Sequence, residues 1–442
     1  MNTRQQPFSG AAASGVQAAL RIAAKYPAIR QCSLALAAPL SEEDCCAQSM
    51  PDASPVKWHL AHTTWFFETF VLENYEENFR PFRAEFRVLF NSYYNGVGEK
   101  HPRAQCGMLT RPALSTVRDY RSNVDQRMQA AIALHGGSQA FRDLVELGLN
   151  HEQQHQELLL TDLKHLLSLN PTAPSYREMP PVAKASTMPD GWANFSGGLV
   201  ETGAQAPIGS ESETGNYFCF DNELPRHRQY LAPYRLATRL VTNAEYLRFI
   251  EAGGYRDPQL WLSEGWDWVR TGGIEHPIYW SRDGNKWREF TLAGAIALHP
   301  DLPVSHVSYF EADAYARHAG ARLPTEGEWE HASGQCLKNG KIPEGNFSDQ
   351  GRYHPMASTE TGLSQMFGDL WEWTSSGYSP YPGYQPPEGA IGEYNGKFMI
   401  NQYVLRGGSC ATPRDHLRAS YRNFFPTAAR WQFTGIRLAR DA

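Results

Sequence analysis

A chain of 442 residues is longer than one ordinary hydrophobic core organises, so two domains are expected. With 41% hydrophobic residues, 20% charged residues and a net charge of -6, its composition is that of a globular protein and gives no reason to expect nucleic acid or an anionic membrane as partner. No apolar run reaches the roughly 20 residues that span a bilayer, no charged-then-apolar leader opens the chain, and seven scattered cysteines without a CxxC pair suit a reducing, cytoplasmic setting.

The first dozen or so residues, through Ser9-Gly10-Ala11-Ala12-Ala13-Ser14-Gly15, read as a frayed tail. Val16 to Ala37 is Ala/Leu-rich with Arg and Lys on one side and is expected to be the first helix. Ser54 as N-cap and Pro55 at the first helical position start a second, which runs to about Glu73. Leu114 to His135 is a third. Ser138 to Leu169 is a fourth, ended by Asn170-Pro171. Together they predict an antiparallel four-helix bundle over residues 15–170, a fold that builds metal sites from side chains on facing helices.

The chemistry-bearing residues lie within that span. His151 and His155 stand four residues apart in Asn150-His-Glu-Gln-Gln-His-Gln-Glu, so a helix points both imidazoles from one face, about one turn apart. The second helix carries His59 and His62, which share a face, and either one can complete an open three-ligand site of the catalytic kind. Imidazole serves Fe, Zn and Cu alike, so the donors alone do not choose the metal. Glu157 is expected to accept a hydrogen bond from a ligand ring. The connection from about Tyr75 to Pro112 is long and aromatic, with Tyr93 and Tyr94 in Asn91-Ser92-Tyr93-Tyr94-Asn95-Gly96, and long loops in compact domains are often functional. Lys100 and Arg103 lie just beyond, where a cation, ideally a bidentate Arg, can hold a substrate carboxylate.

Residues 171–190 are Pro-rich without periodicity and read as a linker. From 191 to 442 short β-like runs alternate with Gly, Asn, Asp and Pro, with helices expected at Val241–Glu251, Ser308–His318 and Thr325–Ala332, an α+β texture.

This second half contains Asp221-Asn222-Glu223-Leu224-Pro225-Arg226-His227, Arg322-Leu323-Pro324-Thr325-Glu326-Gly327-Glu328-Trp329-Glu330, Gly368-Asp369-Leu370-Trp371-Glu372-Trp373, Leu405-Arg406-Gly407-Gly408-Ser409 and Thr434-Gly435-Ile436-Arg437-Leu438. In these motifs it resembles a formylglycine-generating-enzyme-type (sulfatase-modifying-factor) domain, related to C-type lectin folds. The first half, with His62 and the His151-x3-His155-x-Glu157 run, resembles a DinB-like four-helix bundle. In this order the two halves resemble the sulfoxide synthases of ergothioneine biosynthesis (EgtB type). The resemblance implies Fe(II) held by His62, His151 and His155. It implies an O2-dependent reaction that joins C2 of the hercynine (Nα-trimethylhistidine) imidazole to a small thiol as a sulfoxide. It places Gln154 against that imidazole. It places a tyrosine proton donor at Tyr93 or Tyr94, with Tyr378 in the second half as the next candidate. Asn423, Phe424 and Phe425 fall where one branch of the family has an acidic residue. Aromatic residues there imply a different thiol, most simply cysteine, and offer rings to the trimethylammonium group.

The chain departs from formylglycine generators near its C-terminus. Those carry a cysteine pair, whereas here the stretch reads Arg418-Ala419-Ser420-Tyr421-Arg422 and Cys410 stands without a second cysteine nearby. Two rival readings remain open from sequence: a selenoneine synthase that takes a selenosugar as donor, and a non-catalytic metal-containing ligand-binding protein.

Overall fold

The computed structural model describes residues 10–178, 180, 188–205 and 218–442. Residues 1–9 of the expected N-terminal tail, and residues 179 and 181–187 of the expected linker, lie outside the described residues. The described residues divide into two compact units. One is built on the chain up to Leu163 with the short segment Glu388–Glu393; the other comprises Lys164–Gln205, Cys219–Pro387 and Tyr394–Ala442.

The first unit is helical. Its long helices are Gly10–Ala37, Val56–Phe66, Leu114–His135 and Gln139–Ser168, the last passing into the second unit at Lys164. The first begins at Gly10, so the residues read as a frayed tail from Gly10 onward are helical instead. The second begins one residue later than expected: Pro55 is the N-cap and makes no side-chain capping bond. Ser54 does not cap; its N–H donates to Asp162 Oδ2 at 2.8 Å. This helix passes into a π-helical stretch at Phe67–Leu72, a wider winding frequent at functional sites.

All eleven residues of Val56–Phe66 are buried, including Lys57, His59, His62, Thr63 and Thr64. A helix buried all round must satisfy its polar groups internally. Thr63 and Thr64 hydroxyls donate back to the carbonyls of His59 and Leu60, and Lys57 Nζ donates to Leu109 O at 2.7 Å. A charged network ties the other three long helices to it. Glu152 accepts from Arg30 Nη1 at 2.9 Å, from Ser33 Oγ at 2.6 Å and from Arg121 Nη2, while Arg30 also reaches Asp125 and Thr64.

The second unit is rich in short sheets. Strands Trp192–Phe195, Tyr234–Ala237 and Ala439–Asp441 form one sheet, with Tyr234–Ala237 in the middle. Strands Asn423–Pro426, Gln402–Arg406, Trp371–Gly377 and Thr434–Gly435 form a second, side by side in that order. Two smaller sheets pair Gly198–Thr202 with His227–Leu231 and join Trp280–Asp283, Lys286–Thr291 and Gly294–Ala297. Helices form at Asn243–Glu251, Tyr309–His318 and Glu326–Ser333, each opened by a Thr or Ser capping box. A further helix at Ser263–Gly272 was not expected, because its apolar positions are diluted by Gly265, Asp267 and Thr271.

The sequence motifs of this half meet as partners. Arg322 pairs with Glu328, Arg406 with Glu330, and Arg437 with Glu372, which also accepts from Trp329 Nε1 at 2.7 Å. Gly407, at φ +97, sits where a Cβ would lie 2.7 Å from Met366 O, so glycine is required there. These residues hold the fold.

Lys164 is the least expected member of this unit. Its buried Nζ lies 2.7 Å from His306 Nε2 and sits over the rings of Tyr279 and Phe433 at 4.8 and 5.1 Å. Burial draws its ammonium down to about 8 against the pull of Glu289. Below that pH both folded and unfolded chains carry the proton. From there to about 10.4 the unfolded chain binds more, so stability rises with pH by up to ~1.4 kcal/mol per unit. Urea denaturation at pH 8 and pH 10 is expected to show wild type gaining about 2–3 kcal/mol relative to Lys164→Met. A difference that stays flat with pH would show that Lys164 keeps an ordinary affinity for its proton.

Candidate metal centre

One ring nitrogen from each of His62, His151 and His155 can be chosen so that all three lie within 4.8 Å of one another, a spacing that a single metal ion bridges. The pair at 151 and 155 comes from the long fourth helix, and His62 from the fully buried second. His62 Nδ1 is 2.6 Å from the carbonyl of Phe90 and donates to it, which leaves Nε2 buried with no hydrogen-bond partner. A buried polar atom of this kind costs free energy unless something binds it. Trp58 and Trp65 both stack with the His62 ring, at 4.5 Å and 11° and at 5.5 Å and 16°, and fix its plane.

The electrostatics favour neutral donors. Burial pulls His62 down to about 3, opposed by its bond to Phe90 and helped by the charges of His59 and Arg103. Burial likewise holds His151 and His155 well below the ordinary histidine range, with the neighbouring histidines adding to it. Three uncharged imidazoles facing one point suit a divalent cation of borderline softness, so the residues fit a metal.

His59 is not in the cluster. Its Nδ1 lies 2.9 Å from His155 Nδ1 and its Nε2 3.1 Å from Asp162 Oδ2. Glu157 is outside the cluster as well. The groups that hold ring nitrogens of His62 and His155 are the Phe90 carbonyl and the His59–Asp162 pair.

The tyrosine loop is tied to the same point. Phe90, whose carbonyl accepts from His62, precedes Asn91, whose side chain both donates to Tyr94 O and accepts from Tyr94 N–H. Glu393 clamps the loop tip by accepting from the N–H groups of Asn95 and Gly96 at 3.0 and 2.6 Å. Tyr94 is fully buried, its ring 5.6 Å from that of Trp65. Tyr93 is half-buried and stacks on Tyr94 at 4.6 Å, with the two hydroxyls 3.5 Å apart. Gln154 is half-buried beside His155. Lys100 and Arg103 are exposed; Lys100 donates to Asn95 Oδ1 and Arg103 to Asp52 O. Arg103 is nevertheless near enough for its charge to depress His62 and His155.

The remaining predicted residues lie in the second unit. Tyr378 is buried, accepts from Asn222 Nδ2 at 2.9 Å and stacks on Phe424 at 4.0 Å and 10°. The Arg422 guanidinium lies over Tyr378 and Tyr381 and is neutralised by Glu326. Asn423 uses its carboxamide oxygen to accept from Phe424 N–H, and Phe425 meets Trp431 edge-on at 6.0 Å.

Sequence reasoning missed Asp162 and the Phe90 carbonyl, and left His59 undecided. A signal for Asp162 was present: it follows His155 by seven residues, two helical turns on one face. A backbone carbonyl carries no such signal.

Residues 180–442 match the sulfatase-modifying factor enzyme 1-like domain, and residues 28–159 match the DinB superfamily. The hercynine oxygenase of Mycolicibacterium thermoresistibile is 33% identical over 424 residues, covering 88% of this chain and 88% of that one. That of Mycolicibacterium smegmatis is 32% identical, covering 89% and 92%, and that of Mycobacterium tuberculosis 32%, covering 90% and 94%. The formylglycine-generating enzyme of Streptomyces coelicolor is 30% identical but covers only 52% of this chain. The DinB-like helical unit, the sulfatase-modifying-factor-type unit that follows it and these end-to-end matches agree: the chain belongs to the hercynine oxygenase family of oxidoreductases.

Proposed function

We propose that this protein is an Fe(II)-dependent enzyme of ergothioneine biosynthesis that joins C2 of hercynine to the sulfur of cysteine and oxidises that sulfur to a sulfoxide. The observation that carries this reading is the convergence of three neutral imidazoles, two of them buried and His155 half-buried, with His62 Nε2 left unpartnered, in a chain of this family. The overall change balances: the C2–H and S–H bonds are lost, a C–S bond forms, one oxygen atom of O2 goes to sulfur and the other leaves as water. Iron, when bound, supplies the electron transfer to O2.

The chain's own groups bind and supply protons. Gln154 is proposed to hold the hercynine imidazole, and Arg103, with Lys100, the carboxylate of cysteine. In the second unit Tyr378, Asn423, Phe424 and Phe425 are proposed as substrate-binding positions, the aromatic rings of this stretch suiting a trimethylammonium group. Tyr94 is the proposed proton source, and half-buried Tyr93 resupplies it. Tyr378 is the weaker candidate, because its ring is covered by Phe424 and burial pushes its hydroxyl well above the ordinary tyrosine range. The scattered cysteines form no disulfide, which supports a reducing, cytoplasmic setting, and no described helix is long and apolar enough to cross a membrane.

The test is a product assay with Fe(II), O2 and hercynine, offering cysteine, γ-glutamylcysteine or a selenosugar, read by mass. Hercynylcysteine sulfoxide is expected from cysteine; product from another donor alone would replace cysteine, and none from any donor would overturn the reading. In the same assay Tyr94→Phe is expected to lower C–S coupling by about 100-fold or more, the share of a positioned proton donor, and to divert cysteine to its sulfinic acid. Coupling unchanged in Tyr94→Phe would remove that residue from the role.

A further inference from the structure

We propose that Asp162 and His59 are positioning residues that determine which nitrogen of His155 is presented to the metal. The argument is one of proton accounting and rests on the reading that the three histidines bind a divalent metal. Asp162 and His59 are both buried, at 4% and 3% exposure. The Asp162 carboxylate has only acceptors to offer, and it lies 3.1 Å from His59 Nε2. His59 therefore carries a proton on Nε2. A doubly protonated His59 would also donate from Nδ1 and force the His155 proton onto Nε2, which a ligand imidazole cannot carry there; with His155 a ligand, the His59 ring is neutral and its Nδ1 is bare. That bare atom lies 2.9 Å from His155 Nδ1, and two imidazole nitrogens can bond at that distance only if one is protonated and the other is not. His155 must supply the proton from its own Nδ1, and its Nε2 is left with a free lone pair.

The order of dependence runs carboxylate, imidazole, imidazole, metal. At His62 the Phe90 carbonyl does the same work in one step, accepting from Nδ1 and baring Nε2. Two ligands of the cluster thus arrive at the same tautomer by independent routes. The carboxylate is itself held by the Ser54 N–H at 2.8 Å, at the entry to the helix that bears His59 and His62. Three points in the chain, Ser54, His59 and the His155–Asp162 face, are thereby coupled to one ring orientation. The reverse arrangement, with a proton on His155 Nε2, would aim an N–H at the metal position.

The probe is Co(II), bound anaerobically to the full chain, with affinity from titration and ligand field from the visible d–d absorption. Wild type is expected to bind one equivalent. Asp162→Asn, which can offer His59 a donor in place of an acceptor, is expected to weaken Co(II) binding about 10–100-fold and to shift the d–d band. His59→Ala should do the same. His59→Gln, whose carbonyl can accept from His155 Nδ1–H, should recover most of the affinity. A purely structural role would leave the band of the folded, metal-bound fraction unmoved. Wild-type affinity and an unchanged band in both Asp162→Asn and His59→Ala would overturn the proposal. Failure of wild type itself to bind Co(II) would instead overturn the metal reading on which it rests.

Discussion

Replacing His62, His151 or His155 by alanine, one at a time, is expected to abolish both stoichiometric metal binding and turnover. Among the described residues each imidazole is one of three side chains whose donor atoms converge, so losing one leaves a two-ligand site, below the three that an open catalytic centre needs. The loss should be specific to metal. At His62 the buried Nε2 has no hydrogen-bond partner in the metal-free chain, so truncation there removes an unfavourable group along with some packing. The largest structural cost is expected at His62, whose ring is stacked by Trp58 and Trp65. Metal titration and thermal melting on the same samples separate the two effects. Any variant that keeps full metal content and activity would leave the ligand set.

Glu152→Ala is expected to be the most destabilising single change in the helical unit, at about 3–5 kcal/mol. Glu152 is fully buried next to His151 on the helix that carries two of the three histidines. It neutralises Arg30 and Arg121, themselves 2% and 1% exposed. Burial pushes its carboxyl up, but Arg121 and Arg30 pull it down further, and the net displacement is downward. Its stabilisation is therefore fully present above the ordinary carboxylate range and is lost as the pH falls through the lowered folded-state value. Without it two guanidinium groups face each other away from water, and Arg121 Nε already lacks a partner. Glu152→Gln keeps the shape and one acceptor, so its cost should be smaller. Urea denaturation of both variants checks this; a loss below about 1 kcal/mol in Glu152→Ala would mean that water reaches the arginines on truncation.

Much of this architecture is legible locally. The helix Leu114–His135 lies where the apolar periodicity places it, and Gln139–Ser168 differs from expectation by one residue at each end. Helix periodicity is set by neighbours three and four residues away, so sequence reports it directly. The start at Gly10 was hidden because Gly and Ser are common in loops, and the π-helical stretch at Phe67–Leu72 because nothing in Phe-Glu-Thr-Phe-Val-Leu distinguishes a wider winding from an ordinary helical turn. In the second unit the motifs were visible as strings, but not as the pairs Arg406–Glu330 and Arg437–Glu372, whose partners lie dozens of residues apart.

The sequence by itself determined that His151 and His155 share a helix face, because a spacing of four fixes their relation wherever the helix goes. It determined the order of the two domain types through motifs that survive as contiguous runs. The family resemblance named His62 over His59, but only tertiary packing gives the physical reason that His62 faces the cluster. Two residues three apart on one buried helix differ only by a rotation about its axis, and the neighbours set that rotation: Phe90 and the stacked tryptophans take His62, Asp162 takes His59. The same holds for the tyrosine loop, whose place depends on an Asn91 side chain, the Phe90 carbonyl and a carboxylate from Glu393, nearly 300 residues away. Local spacing fixes which groups can point together; only the packing of one element on another selects which of them do.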